Sequence, residues 1–120
     1  LPDLVAWRSR LARLQVLVAE ADNALAGFIG FSTDGHIDLL YTAPEYARRG
    51  VASALYGETE RCLSASGVRV LCTEASLVAA PFFSLQGFTV AAHQRISASA
   101  RQRVMRRGVA LARYVMRKLL

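Results

Sequence analysis

His36-Ile37-Asp38-Leu39-Leu40-Tyr41-Thr42-Ala43-Pro44-Glu45-Tyr46-Ala47-Arg48-Arg49-Gly50-Val51-Ala52 changes backbone pattern twice in one short stretch. Its first seven positions are rich in β-branched and aromatic residues, which predicts a strand over 36–42. Ala43-Pro44 ends that strand, because proline has no N–H for a ladder and restricts the residue before it. A basic, glycine-bearing turn follows. Beyond it Val51, Leu55, Cys62 and Leu63 recur roughly every three to four positions, the spacing of a helix with one apolar face. Strand, basic turn and helix start together suit an anion such as a pyrophosphate. The first N–H groups of a helix have no partner inside it, the macrodipole favours negative charge, and a glycine lets a phosphate approach the backbone.

Pro44 through Leu55 resembles the acyl-CoA-binding motif of the GNAT superfamily of N-acetyltransferases, which reads Gln/Arg-x-x-Gly-x-Gly/Ala at the start of the central helix. Gly50 and Ala52 match; Ala47 stands where Gln or Arg is usual, and Arg48 and Arg49 supply the positive charge instead. A second block, Ser76-Leu77-Val78-Ala79-Ala80-Pro81-Phe82-Phe83-Ser84-Leu85-Gln86-Gly87-Phe88, resembles the family's later helix, which ends in Gly-Phe before the next strand. The blocks come in the family's order and spacing, and the resemblance covers roughly residues 14–118. It implies an α/β fold (mixed α+β), with a mixed, mostly antiparallel sheet of about six strands flanked by helices. It also implies acetyl-CoA as co-substrate and direct acetyl transfer to an amine.

By the same resemblance, backbone groups of Leu40, Tyr41 and Thr42 hold the pantetheine arm. The N–H groups of Arg48, Arg49, Gly50, Val51, Ala52 and Ser53 receive the pyrophosphate. The reaction needs a polarised thioester, a base for the amine proton and a proton for the departing thiolate. Asp38 stands where several family members place a glutamate base. On a period of two it shares a strand face with His36, Leu40 and Thr42, and desolvation on an apolar strand would raise its basicity. A solvated or arginine-paired carboxylate is the plainer reading of Asp38. Glu74, at the end of the next strand, is a second candidate base, and His36 a weaker one. The usual acid, a tyrosine four residues before the glycine of Gly-Phe, is replaced by Phe83, which has no proton to give and lines the acyl pocket or the core. Ser76 replaces an asparagine that often touches the pantetheine arm.

Length and composition fit a single domain over residues 1–120, 53% hydrophobic. No apolar run approaches the ~20 residues that span a bilayer, and no signal-peptide pattern opens the chain. Cys62 and Cys72 read as buried free thiols in a reducing cytoplasm. No Cys/His spacing suits zinc, so no metal is expected. The formal net charge of +6 favours an anionic partner. Its basic residues cluster at Arg8/Arg10/Arg13, at Arg48/Arg49 and at Arg101/Arg103/Arg106/Arg107, and only the second cluster sits in a glycine turn before a helix. The third lacks the interleaved aromatics that stack single-stranded bases, so it reads as solvated loop charge and no nucleic-acid partner is expected.

Residues 3–13 read as an amphipathic helix with Asp3 as N-cap and Leu4, Trp7, Leu11 and Leu14 on one face. In the family this is the second helix; the first strand and first helix have no counterpart ahead of it. That region shapes the acceptor pocket in the family, and its absence would leave a sheet edge that a second subunit could cover, as a homodimer. Strands are expected at 15–20, 25–32, 68–73, 89–97 and 109–117, besides that at 36–42. Ala21-Asp22-Asn23 and Thr33-Asp34-Gly35 are hairpin turns by composition. Gly27 and Gly30 inside a strand suggest a bulge or close packing. Gly67 is expected to cap the central helix, and a short helix over about 78–85 to carry Pro81 in its first turn and end at Gly87. The favoured reading is an acetyl-CoA-dependent N-acetyltransferase acting on a small amine or a peptide amine. The alternative is a non-catalytic acyl-CoA-binding module, which Phe83 and the short N-terminal side support.

Overall fold

In a computed structural model, residues 14–95 and 112–120 are described. The helix expected over 3–13, the basic loop at 101–107 and parts of the last two strands lie outside them. The described residues form six strands and two α-helices in the order β1 (Gln15–Ala21), β2 (Ala24–Phe31), β3 (His36–Thr42), a 3-10 turn (Pro44–Tyr46), α1 (Val51–Ala65), β4 (Val70–Ser76), α2 (Ala80–Leu85), β5 (Thr89–Arg95) and β6 (Ala112–Leu119). The strands form a six-stranded sheet, as expected. The chain divides into two compact units, residues 1–71 with Leu120, and Cys72–Leu119.

In the first unit β1, β2 and β3 pair antiparallel. Asp22 and Asn23 both take positive φ (53° and 61°), the two-residue turn whose twist matches that of the flanking strands. Helix α1 packs against β2, and Gly27 makes that approach possible. A Cβ there would stand 2.5 Å from the Tyr41 carbonyl oxygen and 3.0 Å from a Val51 methyl. The buried face of α1 is Leu55, Tyr56, Thr59 and Leu63 rather than the Val51-Leu55-Cys62-Leu63 set expected. Positions 55, 59 and 63 follow one another at four-residue intervals, and buried Thr59 stays satisfied by donating to the Leu55 carbonyl at 2.9 Å. Cys62 therefore lies on the flank; it and Cys72 are half-buried, not fully buried as expected. Ser66 is the C-cap, one residue earlier than expected, and Gly67 follows in the left-handed region at φ 89°. There Gly67 N–H donates to Ser64 O (3.0 Å) and Val68 N–H to Leu63 O (3.0 Å), the double bond of a Schellman ending.

In the second unit β5 and β6 pair antiparallel, and β6 lies between β4 and β5 in the sheet order. Strand β4 begins two residues later than expected and runs three further. Helix α2 keeps Pro81 in its first turn and repeats the Schellman ending, with Gly87 at φ 98° and Phe88 N–H donating to Phe83 O at 3.0 Å. Phe83 and Phe88 are buried with Ala75, Ala80 and Met116 in this unit's core.

Candidate functional site

The strand-turn-helix stretch folds as its residues require. Strand β3 ends at Thr42, Pro44 opens the 3-10 turn, and α1 starts at Val51. The turn makes its reversal with two left-handed residues, Arg48 at φ 62° and Gly50 at φ 81°. Gly50 is the N-cap of α1, and no side chain caps the helix. The space where its Cβ would stand is open, with no atom within 4 Å. Arg48, Arg49 and Gly50 are exposed around this uncapped start, with Val51 and Ala52 half-buried and Ser53 exposed. An uncapped helix start and an open approach over a glycine thus stand in one turn with two exposed arginines, an arrangement that attracts a phosphate.

Strand β3 is not regular throughout. Leu40 stands opposite Ile29 and Thr42 opposite Gly27, whose missing Cβ points at α1. Tyr41 stands opposite Phe28 on the other face, and the two rings stack at 5.3 Å. Further back the register shifts: Gly30 faces Leu39, but Phe31 faces Ile37. Strand β3 carries one more residue than β2 there, and Asp38 is the residue skipped. This is a β-bulge, which breaks the alternation. The shared face of His36, Asp38, Leu40 and Thr42 expected from a period of two is corrected by it, since the phase changes at 38–39. Asp38 and His36 are both half-buried.

The remaining expected site residues lie in the second unit. Glu74 is exposed and ion-paired with Arg113, Oε2 to Nη1 at 3.6 Å. Ser76 is exposed, and its Oγ accepts the Ala79 N–H at 3.1 Å, which organises the entry to α2. The Phe83 ring meets Phe82 and Phe88 edge-on, both at 5.2 Å. Among the described residues no group of His, Cys, Asp and Glu could hold a metal ion.

The bulge falls beside Gly30, one of the two glycines that suggest a bulge or close packing in the sequence, although the skipped residue is on the neighbouring strand. What escapes a sequence reading is the role of Tyr46. Its hydroxyl lies 3.1 Å from the Ala21 carbonyl oxygen and 3.4 Å from Asp22 Oδ2, and its ring lies 5.6 Å below the Arg49 guanidinium carbon. Removal from water, and then the Asp22 carboxylate, push its phenol pKa up. The three-residue spacing of Tyr46 and Arg49 is the available signal, because a tight turn brings such positions together.

The fold is that of the GNAT class, and the comparisons agree. Residues 3–107 match the acetyltransferase (GNAT) domain family, and the chain belongs to it. It is 40% identical over 90 residues to the uncharacterized N-acetyltransferase YafP of Escherichia coli K12, covering 75% of this chain and 56% of that protein. The match thus spans little more than half the length of that relative. A GCN5-related N-acetyltransferase from Rhodopseudomonas palustris superposes with a TM-score of 0.83 at 30% identity, over 98% of this chain and 69% of that one. PaiA N-acetyltransferase from Thermoplasma acidophilum, solved in complex with coenzyme A, shares the fold with a TM-score of 0.67 at 23% identity, over 98% of this chain and 67% of that one. No helix among the described residues is long and apolar enough to cross a membrane.

Proposed function

We propose that this protein binds acetyl-CoA and transfers its acetyl group directly to an amine, a small molecule or a peptide N-terminus. The observation that carries the reading is the uncapped start of α1 beside Arg48, Arg49 and left-handed Gly50, in a chain of an acetyltransferase family. The pyrophosphate sits on the N–H groups of Arg48 through Ser53, and the backbone of Leu40, Tyr41 and Thr42 guides the pantetheine arm. The amine nitrogen bonds to the thioester carbonyl carbon as the carbon–sulfur bond breaks. A base takes the amine proton, and the thiolate leaves to be protonated from solvent. Asp38 is the better base of the two carboxylates. It is half-buried at a bulge, whereas Glu74 is exposed beside Arg113. The reading of Cys62 and Cys72 as thiols suits a reducing compartment, the cytoplasm.

Calorimetric titration of acetyl-CoA into the purified protein tests this, alongside the double variant Arg48→Ala/Arg49→Ala. Micromolar binding that weakens in the variant supports the phosphate turn, and CoA release in an amine screen then supports catalysis. Binding with no turnover on any amine would favour a non-catalytic CoA-binding module. No heat from a folded protein would refute both.

A further inference from the structure

We propose that Tyr46 is a positioning residue for the anion turn, tying the β1–β2 hairpin to Arg49 so that the cation is held ready beside the start of α1. The proposal rests on the acetyl-CoA reading above. The geometry runs in one connected line. The hairpin turn is tight, with Asp22 and Asn23 both left-handed and Ala21 paired with Ala24. From that turn two acceptors, the Ala21 carbonyl and the Asp22 carboxylate, share the single proton of the Tyr46 hydroxyl at 3.1 and 3.4 Å. The ring they fix then carries the Arg49 guanidinium at 5.6 Å, within the range of a cation–π contact.

An arginine on an exposed turn otherwise loses side-chain entropy each time it meets a phosphate. A guanidinium resting on a ring has lost part of that freedom already, and its N–H edge still faces outward for oxygen atoms. Tyr46 therefore does for Arg49 what no residue of the turn itself can do. Within the turn, Ala47 and Gly50 have no side chain that reaches, and Arg48 repels its neighbour. The hairpin is 24 residues away in sequence from the ring it holds, so the link is made by the tertiary fold alone.

The test compares CoA affinity by calorimetry for the wild type, Tyr46→Phe, Tyr46→Leu and Arg48→Ala/Arg49→Ala, each with a thermal melt. The Arg49 Nε–H resonance is followed as a readout of the stack. Tyr46→Phe keeps the ring and loses the tether, and its Kd is expected to rise about threefold to tenfold, the worth of a hydrogen bond. Tyr46→Leu loses both, weakens binding further, and moves the Arg49 resonance away from its ring-shifted position. Inorganic pyrophosphate, titrated as a second probe, should weaken in the same order. A wild-type affinity retained by both Tyr46 variants, while the double arginine variant binds weakly, would overturn this proposal and leave the acetyl-CoA reading standing. Absence of CoA binding by the folded wild type would instead overturn that reading, and this proposal with it. Loss of thermal stability in the Tyr46 variants with an unmoved Arg49 resonance would reduce Tyr46 to a fold residue.

Discussion

Arg48 holds φ at 62°, where an L side chain crowds the following carbonyl, and nothing in its own chemistry favours that choice. The turn tolerates the strain because the chain must reverse between the 3-10 turn and α1, and Gly50 at φ 81° takes only part of the reversal. Charge and conformation are thus in conflict at this position, and two substitutions separate them. Arg48→Gly removes both the guanidinium and the strain; Arg48→Ala removes only the guanidinium. The glycine variant is expected to be more stable than the alanine variant by about 1 kcal/mol, while both bind CoA more weakly than the wild type. Denaturant melts of the two side by side read the difference. Equal stabilities would mean that the left-handed turn is not what the chain adopts in solution. Sequence alone exposes the charge here but not the strain, because residue type assigns the bend to glycine and only a charge to arginine.

Helix α1 shows how far local pattern reaches and where packing takes over. Its span and the bounds of β3 follow from capping, proline and periodicity, which act within a few residues. Its buried face does not: Tyr56 and Thr59 are polar in the sequence and buried in the fold, each with a partner inside the helix. The same limit explains the bulge in β3, since the skipped residue depends on what β2 offers opposite, and an alternation rule knows only its own strand. Tyr56 donates to Glu60 Oε1 at 2.6 Å, and burial, more than that carboxylate, pushes its phenol well above the ordinary value of 10.0. A raised pKa in the folded state contributes stability that is fully present below the unfolded value and is lost as pH rises above it. The loss thus begins near pH 10, the ordinary tyrosine value, and deepens towards the raised one. Tyr56→Phe has no proton to release, so its stability is expected to fall less between pH 9 and pH 11 than that of the wild type. Urea melts at the two pH values, taken as a difference of differences, check it. An identical fall in both proteins would place the alkaline sensitivity elsewhere.

For the molecule as a whole, the formal charge of +6 and the local turn both attract an anion, and they respond differently to salt. A diffuse positive field acts over distances that salt cuts from about 10 Å at 0.1 M to about 3 Å at 1 M. On the proposed reading the exposed pair Arg48/Arg49 would meet a phosphate directly, with a share of the affinity that is also screened, at about 0.2–1 kcal/mol for each exposed ion pair. Hydrogen bonds from the helix N–H groups would be weakened little by salt. Raising salt from 0.1 M to 1 M is therefore expected to weaken CoA binding about threefold to tenfold without abolishing it. In Arg48→Ala/Arg49→Ala the starting affinity is lower and the salt dependence flatter, because the most direct charges are gone. Calorimetry of both proteins across the salt series decides between the sources. A salt dependence as steep in the double variant as in the wild type would assign the attraction to charge spread over the molecule. A flat line there assigns it to the turn, where the motif of Gly50 and Ala52 had placed it from residue types alone.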